Sequence, residues 1–474
     1  MRAAFVALLL AAALSAQNAP THAQRPARLA IRDAMVVEGP GMPARGPLDI
    51  VVEGNRITQV GRVPASWQGV EIDGRGAYVL PGLINMHGHV QENRGRVAMD
   101  VDYCLKLWLA SGITTVRDVG STFELSKRLR EESAAGTRAA PRLLLYAWFG
   151  RPETPEKARE RVREIKATGG DGIKFHQTYR DILNAALEEA RVQGLRTAIH
   201  MGVEDSHALH AADAGVTTIE HWYGIPDAAL REGVQAFPPE FNYNDETHRF
   251  RYAGRLWREA DPEKLGRVLQ RMVDKDVSWN PTLSIYEAAR DLQRYENQPQ
   301  FATLLHPALA AFFTPSRDSH GSFFFGWTTE DEVYWKENYR LWMAAVKDFA
   351  RRGGTVTTGE DAGFIYQMQG FGYARELELH QEAGFAPLEV IQHATTNGAR
   401  VLGREGELGR VRAGWLADLV VVKGNPLANL KIMRPDSGAI QWVIKDGIPY
   451  NAPRLMSEVK GIVNRARTQE NKPR

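Results

Sequence analysis

The stretch Pro-Gly-Leu-Ile-Asn-Met-His-Gly-His-Val, residues 81–90, decides the fold that the sequence predicts. Its apolar start is typical of a buried β-strand, in which residues two apart point to the same face. His87 and His89 would then lie side by side and supply half of a metal site, because imidazole nitrogens are common metal ligands. The alternative is a strand with two unrelated histidines, so the prediction depends on ligands supplied by the rest of the chain.

Strand-like and helix-like segments alternate from this stretch to residue 403, and many of the helix-like segments end at a glycine. After the first strand, the predicted strands are Thr114–Asp118, Arg142–Ala147, Gly172–Phe175, Thr197–His200, Val216–His221, Val277–Pro281 and Thr355–Gly359. The predicted helices are Arg96–Ser111, Glu124–Ser133, Pro155–Thr168, Arg180–Val192, Asp205–Ala214, Glu263–Asp274, Trp335–Arg352 and Pro387–Leu402. Eight such repeats predict an α/β fold, a closed (β/α)8 TIM barrel over residues 81–403.

The two ends of the chain predict a second, smaller domain. Residues 28–80 contain short apolar strands and a Gly54-Asn55 turn signal, and residues 404–453 contain two more strand-like runs. We expect these segments to pair into one β-sandwich domain built from both chain ends. Residues 454–474 are polar and basic, and we expect them to form a frayed tail.

Residues 1–23 are predicted to be a secretory signal peptide. Arg2 gives a positive start, and Ala3–Leu14 is an almost purely apolar run. A run of about 12 residues is too short to cross a bilayer, which takes ~20 residues. Cleavage is expected after Ala16 or Ala23, and an uncleaved membrane anchor is the alternative. The protein is accordingly expected to be periplasmic or secreted.

Composition excludes several classes of function. The net charge of +2 gives no reason to expect nucleic acid or a membrane as a partner. The single cysteine, Cys104, rules out an internal disulfide and a cysteine-based zinc site, so histidines and carboxylates must hold any metal. We expect a small-molecule substrate, and the sequence leaves open whether the chain forms a homo-oligomer.

The active site of a barrel of this kind lies at the carboxyl ends of its strands. Those ends carry four histidines, one lysine and one aspartate: His87, His89, Lys174, His200, His221 and Asp361. A histidine at a strand end is often an ordinary core residue, but six such residues at one rim are improbable by chance. We therefore predict that the six form a metal site.

Several motifs carry a resemblance to a known family. They are Pro-Gly-Leu-Ile-Asn-Met-His-Gly-His (81–89), Gly-Ile-Thr-Thr-Val-Arg-Asp-Val-Gly (112–120), Gly-Ile-Lys (172–174), Thr-Ile-Glu-His (218–221), Gly-Glu-Asp-Ala-Gly (359–363), Ala-Thr-Thr-Asn-Gly-Ala-Arg-Val-Leu-Gly (394–403) and Gly-Trp-Leu-Ala-Asp-Leu-Val-Val-Val (414–422). On these motifs the chain resembles the amidohydrolase superfamily, in the branch related to imidazolonepropionase and to metal-dependent dipeptidases that act on Xaa-Pro or Xaa-Arg substrates. The resemblance implies a barrel, a flanking β-sandwich and one or two divalent metals, but it does not identify the substrate.

The resemblance also implies roles for the six residues. In this superfamily the lysine of the fourth strand is often carboxylated by CO2, which would make Lys174 a carbamate that bridges two metal ions. One zinc ion would be held by His87, His89 and Asp361, and the other by His200 and His221. Asp361 would accept the proton of the attacking water and pass it to the leaving nitrogen.

The activity that the resemblance implies is hydrolysis of a C–N amide bond in a small, peptide-like substrate. The alternative is a site with one zinc ion, as in imidazolonepropionase, in which Lys174 keeps a free amine and the chain is a cyclic-amide hydrolase or a deaminase. A third interpretation, an inactive binding protein, is disfavoured because the ligand set is complete.

Three residues near the ligands are predicted to contact substrate. His176 has the same strand parity as Lys174, and Tyr179 follows it in the same loop. Tyr223 lies two residues after His221.

Two segments are too long to be simple connections: residues 222–260 after the sixth strand and residues 283–334 after the seventh. Residues 312–342 hold ten aromatic side chains, a density that demands burial against another part of the protein. They either pack on the barrel wall or form an apolar roof over the substrate.

Overall fold

The computed structural model describes residues 19–94, 96–203, 205–231, 239–316 and 321–470. Residues 1–18 of the predicted signal peptide and residues 471–474 of the predicted tail lie outside these ranges. Within them, no helix is both long and apolar enough to cross a membrane.

Seven parallel strands form the wall of a barrel, and each pairs with the barrel strand that follows it in the chain. They are Leu83–Gly88, Ile113–Asp118, Arg142–Trp148, Gly172–His176, Arg196–His200, Thr218–Glu220 and Ser278–Asn280. Parallel strands covered by helices are buried on both faces, which explains why Leu83–Gly88 is buried at every position. The register is continuous near the site, since Lys174 lies opposite Ala198 and His176 opposite His200.

The predicted eighth strand, Thr355–Gly359, and the residues that follow it up to Asp361 nearly close the barrel. A single parallel bridge joins it to the seventh strand. On its other side, the Met86 amide donates to the Thr358 carbonyl at 2.9 Å and the Asp361 amide donates to the His87 carbonyl at 3.0 Å. The segment thus bonds to both neighbours without forming a regular ladder. The predicted α/β TIM-barrel fold is confirmed, with an irregular eighth strand.

Helices cover the outside of the barrel and fill the long segments. They are Asp102–Ala110, Phe123–Ala135, Pro155–Ala167, Arg180–Val192, Ala208–Asp213, Glu246–Glu259, Pro262–Asp274, Leu292–Glu296, Phe301–Leu304, Pro307–Phe313, Thr329–Arg351, Phe371–Glu382, Pro387–Gln392 and Gly398–Val401. The predicted first helix began too early, because residues 93–94 and 97–98 form a two-stranded hairpin ahead of Asp102. The long segment after the sixth strand contains a helix that the sequence analysis did not predict, Glu246–Glu259.

Both chain ends contribute to an eight-stranded, mostly antiparallel sheet. Its strands are Arg28–Val36, Arg45–Glu53, Arg56–Gly61, Val70–Asp73, Ala77–Pro81, Leu419–Lys423, Ile440–Lys445 and Ile448–Asn451. Leu419–Lys423 pairs antiparallel with Ala77–Pro81, which joins the two chain ends. Leu83, two residues after that strand, begins the first barrel strand, so the sheet leads directly into the strand that carries His87. Both chain ends thus pair as predicted, but they form one hydrogen-bonded sheet where a sandwich was predicted.

In place of the predicted frayed tail, Ala452–Glu470 is a helix packed on the protein. Apolar side chains at helical spacing are buried along it: Leu455, Val459, Ile462 and Val463. Arg467 donates from Nη2 to the carbonyls of Phe301 at 3.1 Å and Leu305 at 3.2 Å. This corrects the prediction for residues 454–470, where the many polar and basic residues of the solvent face concealed a narrow apolar stripe.

Leu455→Ala should lower the free energy of unfolding by about 2–5 kcal/mol, because truncation of a fully buried leucine leaves a cavity. Denaturant unfolding followed by tryptophan fluorescence measures this loss. Asn464→Ala, on the exposed side of the same helix, is the matched control and should change stability by less than about 0.5 kcal/mol. Equal, small effects of the two substitutions would show that the helix does not stabilise the fold.

Candidate metal centre and active site

All six predicted ligands line one pocket at the carboxyl ends of the barrel strands: His87, His89, Lys174, His200, His221 and Asp361. The parallel arrangement brings every one of these strand ends to the same edge of the sheet, although the residues are far apart in sequence. The structure thus brings the six residues predicted from the strand ends together in one pocket.

The Asp361 carboxylate lies among the imidazole rings. Oδ1 is 3.0 Å from Nε2 of His89 and 3.6 Å from Nε2 of His87, and Oδ2 is 3.6 Å from Nε2 of His221. Nζ of Lys174 lies 3.4 Å from Nε2 of His87. The ligand atoms of His87, His221 and Asp361 lie within 4.8 Å of one another, close enough to share a cation.

Burial determines the charge of these groups. It lowers the pKa of His87 to about 4 and holds the pKa values of His200 and His221 well below 6.5. Burial alone would raise the pKa of Asp361, but the nearby imidazoles, above all that of His87, outweigh it and lower this pKa. At neutral pH His87, His200 and His221 are therefore neutral, and the neighbouring carboxylate of Asp361 is ionised.

This set of donors fits a divalent metal ion. Nε2 of His200 is buried and has no hydrogen-bond partner among the described residues, which is costly for a polar atom unless a ligand satisfies it. Neutral imidazole nitrogens and carboxylate oxygens are the donors that Zn²⁺ and similar ions bind. The pocket therefore contains a credible set of metal ligands.

Glu220 orients His87. Its Oε2 accepts a hydrogen bond from Nδ1 of His87 at 2.6 Å, which leaves Nε2 directed toward Asp361. Arg117 donates from Nη2 to Oε1 of Glu220 at 2.5 Å, and Asn280 donates from Nδ2 to Oε2 at 2.8 Å. Sequence analysis missed this role of Glu220, although the residue belongs to the Thr-Ile-Glu-His motif.

Three residues of the rim have left-handed backbone conformations, which non-glycine residues rarely adopt. The φ angles are +60° at His221, +46° at Thr282 and +49° at Asp361. Nδ1 of His221 is hydrogen-bonded to the Thr282 hydroxyl, so its Nε2 is directed toward Asp361. Strained residues of this kind concentrate at functional sites, because only a well-packed surrounding structure holds them in place.

A second group of ligand-type side chains lies beside His200. Nε2 of His176 is 3.8 Å from Oε2 of Glu246, and Nε2 of His200 is 3.9 Å from Oε1 of Glu246. His176, predicted to contact substrate, lines the pocket between the rings of Trp148 and His200. Sequence analysis missed Glu246, because no local motif marks this residue and only the fold of the long segment after the sixth strand brings it to the rim.

Neither of the two tyrosines predicted to contact substrate belongs to the lining of this pocket. Tyr223 is buried and packs on the ring of His200, with 4.5 Å between the ring centroids, but it is not part of the pocket lining that the described residues form. Tyr179 is 52% exposed and borders a separate surface groove with Arg151 and Gln177. The structure therefore brings His176 to the pocket but neither tyrosine.

The aromatic residues of the segment 312–342 occupy two kinds of position. Phe323 lines the pocket. Trp335 packs on Phe250 and Tyr286, with ring centroids 5.1 Å and 5.8 Å apart. The fully buried members include Trp335, Tyr339 and Trp342. The segment thus contributes both to wall packing and to one edge of the pocket.

Glu220→Gln should weaken metal binding about 10–100-fold, because a neutral amide holds the His87 ring less firmly in the required tautomer. Titration with zinc against a competing chelator measures the affinity. Glu188→Gln, at an exposed glutamate, is the matched control. Unchanged metal affinity in a folded Glu220→Gln protein would contradict the orienting role.

The sequence matches a known protein family. A profile of the Amidohydrolase family matches residues 78–234 and 341–448, more than half of the chain. These two segments contain all six predicted ligands, including the first barrel strand and the segment that ends in Asp361.

Individual relatives match over most of the chain. The chain is 24% identical over 438 residues to 5-methylthioadenosine/S-adenosylhomocysteine deaminase from Moorella thermoacetica, covering 83% of this chain and 85% of that protein. A solved Xaa-Pro dipeptidase with bound methionine superposes with a TM-score of 0.64 at 21% identity and covers 90% and 100% of the two chains. Aspergillus niger ochratoxinase superposes with a TM-score of 0.62 at 17% identity and covers 90% and 96%. The two superpositions show a shared fold, and the family profile shows that this chain belongs to the Amidohydrolase family, as a hydrolase that acts on carbon–nitrogen bonds.

Proposed function

We propose that the protein hydrolyses a C–N amide bond in a small, peptide-like substrate with the help of two divalent metal ions, most simply zinc. The observation that carries this proposal is the position of the Asp361 carboxylate, within 3.6 Å of three imidazole nitrogens from the first and sixth strands. Metal ions bound there would polarise the scissile carbonyl and lower the pKa of a water molecule.

The proposal gives each of the six ligands a place. His87, His89 and Asp361 would hold one ion, and His200 and His221 the other. Nε2 of His200 is buried and has no hydrogen-bond partner among the described residues, which supports a second ion beside the Asp361 cluster. Lys174 would lie between the ions as a carbamate formed with CO2, since its Nζ is only 3.4 Å from Nε2 of His87.

Carbamate formation requires a neutral amine. Burial lowers the pKa of Lys174 to about 8, although Glu220 and Asp361 act in the opposite direction. An ordinary lysine, with a pKa near 10.4, is almost fully protonated at neutral pH, and its charge would repel a cation. The lowered pKa therefore supports Lys174 as the reactive lysine.

Asp361 is the proton carrier in this proposal. Its lowered pKa keeps the carboxylate ionised, so it can accept the proton of the attacking water and then deliver that proton to the leaving nitrogen. The hydrogen bond from its amide to the His87 carbonyl holds the carboxylate among the imidazoles while it does so.

The second candidate is a one-metal deaminase or cyclic-amide hydrolase, in which Lys174 keeps its amine. The observation that favours it is the 24% identity to a deaminase over 83% of this chain. Two proteins with the same fold are named Xaa-Pro dipeptidase and ochratoxinase. Their names favour amide hydrolysis, which we therefore keep as the first candidate.

A hydrolysis screen of the zinc-loaded protein separates the two candidates. Cleavage of N-acyl amino acids or dipeptides, with two zinc ions per chain by elemental analysis, would support the first. Release of ammonia from adenosine derivatives, with one zinc ion per chain, would support the second. Turnover of neither class would count against both.

We also propose that the protein acts in the periplasm or outside the cell. The support is the apolar N-terminal run with its small residues before Gln17 and Gln24. N-terminal sequencing of protein from the cell envelope should begin near one of these glutamines, and intact Met1 in the cytoplasm would contradict export.

Asp361→Asn should lower kcat about 10²–10⁴-fold while part of the metal stays bound, because the amide oxygen can still ligate but cannot carry the proton. Steady-state kinetics and elemental analysis of the same samples measure both effects. Asp213→Asn, at an exposed aspartate, is the control. A kcat above a tenth of the wild-type value would contradict the proton-carrying role.

Lys174→Ala should remove metal and activity together, because the two ions lose their shared ligand. Acetate or propionate should restore part of both by placing carboxylate oxygens in the vacated space. Lys166→Ala, at an exposed lysine, is the control. Full metal content with near-normal activity in Lys174→Ala would contradict the two-metal proposal and favour the one-metal candidate.

A further inference from the structure

Arg94 is a cationic side chain that lines the pocket and takes no part in the metal site. It lies in the short hairpin after the first barrel strand and is partly buried. Its Cζ is 4.5 Å from the ring centroid of Phe364 and 5.2 Å from that of Phe312. Nε donates to the Gly363 carbonyl at 3.4 Å. The guanidinium is therefore held against aromatic rings on the side of the pocket where the first and eighth strands meet.

The contacts of Arg94 leave donors unused. With the amide of Gln91 in the orientation that satisfies both groups, its oxygen accepts from Nη2 at 2.6 Å. A guanidinium has five N–H donors, and Gly363 and Gln91 can occupy only part of them. Among the described residues, no carboxylate lies within 4.0 Å of Arg94. Glu92, the acidic residue closest in sequence, is exposed and lies 3.9 Å from Arg128 instead.

The Asp361 carboxylate acts electrostatically on Arg94 but lies among the imidazoles and forms no ion pair with it, so a carboxylate on the substrate would compensate this partly desolvated cation more fully. Burial lowers the pKa of Arg94 to about 10, so the guanidinium remains charged at neutral pH. Its planar fork can form two parallel hydrogen bonds to a carboxylate, which a lysine ammonium cannot do.

The position of Arg94 relative to the metal ligands suits a short substrate. The ring of Phe364 contacts both Arg94 and His89: its centroid is 4.5 Å from Cζ of Arg94 and 5.4 Å from the centroid of His89. The guanidinium and a predicted metal ligand thus share one phenyl ring as a neighbour, so a short substrate can reach both.

The opposite side of the pocket has the opposite charge. Glu246 lies beside His176 and His200, at the ends of the fourth and fifth strands. In an eight-stranded barrel these strands face the first and eighth across the axis. A substrate carboxylate would be repelled near Glu246 and attracted near Arg94, so the charges of the pocket define one orientation.

We infer that Arg94 binds the free carboxylate of the substrate, which makes the substrate class N-acyl amino acids or dipeptides rather than simple amides. This inference rests on the proposed amide hydrolysis and deepens it. The carboxylate of the leaving amino acid lies against Arg94, and the scissile amide lies over the histidines and Asp361.

Two substitutions test this role. Arg94→Gln removes the charge and the fork, and Arg94→Lys keeps the charge alone. Arg96→Gln is the matched control, because Arg96 is an exposed arginine two residues further on that is not in the pocket lining. Each protein is assayed in its zinc-loaded form with N-acetylphenylalanine and with its carboxamide, which differ only in the charge of the terminal group.

The expected result is a loss confined to the charged substrate. Arg94→Gln should lower kcat/KM for N-acetylphenylalanine roughly 10–100-fold, mainly through KM, and should leave the carboxamide within about threefold of wild type. Arg94→Lys should lie between, and Arg96→Gln should match wild type. Equal losses on both substrates, or no loss on either, would overturn the inference and leave Arg94 as a packing residue.

Binding distinguishes failure of this inference from failure of the proposed function. If the wild-type protein hydrolyses neither compound, calorimetric titration with N-acetylphenylalanine still measures the role of Arg94. Binding that is lost in Arg94→Gln but kept in Arg96→Gln supports the carboxylate site even if the hydrolysis proposal fails. Equal binding by both variants, or no binding by the wild-type protein, overturns it. Hydrolysis that does not discriminate between the carboxylate and the carboxamide would overturn the inference and keep the proposed function.

Discussion

The amide of Asp361 donates a hydrogen bond of 3.0 Å to the carbonyl of His87, and this contact joins the last segment of the barrel to its first strand. Both residues are also candidate metal ligands, so the contact that closes the barrel also assembles the site. The approach is tight, because a Cβ at Gly359 would lie 2.8 Å from the Cβ of His87. A glycine at position 359 is therefore a condition for both the fold and the site.

Buried polar groups beneath the pocket hold the ligands in place. Glu220 and Arg117 are both fully buried, an arrangement that is costly unless every polar atom is satisfied. Glu220 meets this condition through His87, Arg117 and Asn280 together. The buried ion pair therefore serves to orient His87, and its contribution to stability is secondary. His221 and Asp361 also have left-handed backbone conformations, which are locally unfavourable for non-glycine residues. The surrounding structure holds them in these conformations, and their side chains thereby reach the site.

Charges that would select a substrate come from outside the barrel strands. Arg94 belongs to the hairpin after the first strand, and Glu246 begins a helix in the long segment after the sixth. Loops can change without disturbing the ligands that the strands carry. This division of roles is consistent with the fold that the chain shares with an Xaa-Pro dipeptidase and with ochratoxinase, two proteins with different names.

From the sequence alone, the order of the barrel strands and the six candidate ligands could be predicted, because apolar runs and the polar residues at their carboxyl-terminal ends are local patterns. The first strand is the clearest case, since His87 and His89 end an apolar run that is buried throughout. Only the tertiary structure revealed the contacts of Glu220, Glu246 and Arg94, because each contact joins segments that no local pattern relates. The frayed tail was predicted where the structure has the helix Ala452–Glu470, and Tyr179 lies outside the pocket, for the same reason: burial depends on which neighbours are present, and packing supplies those neighbours.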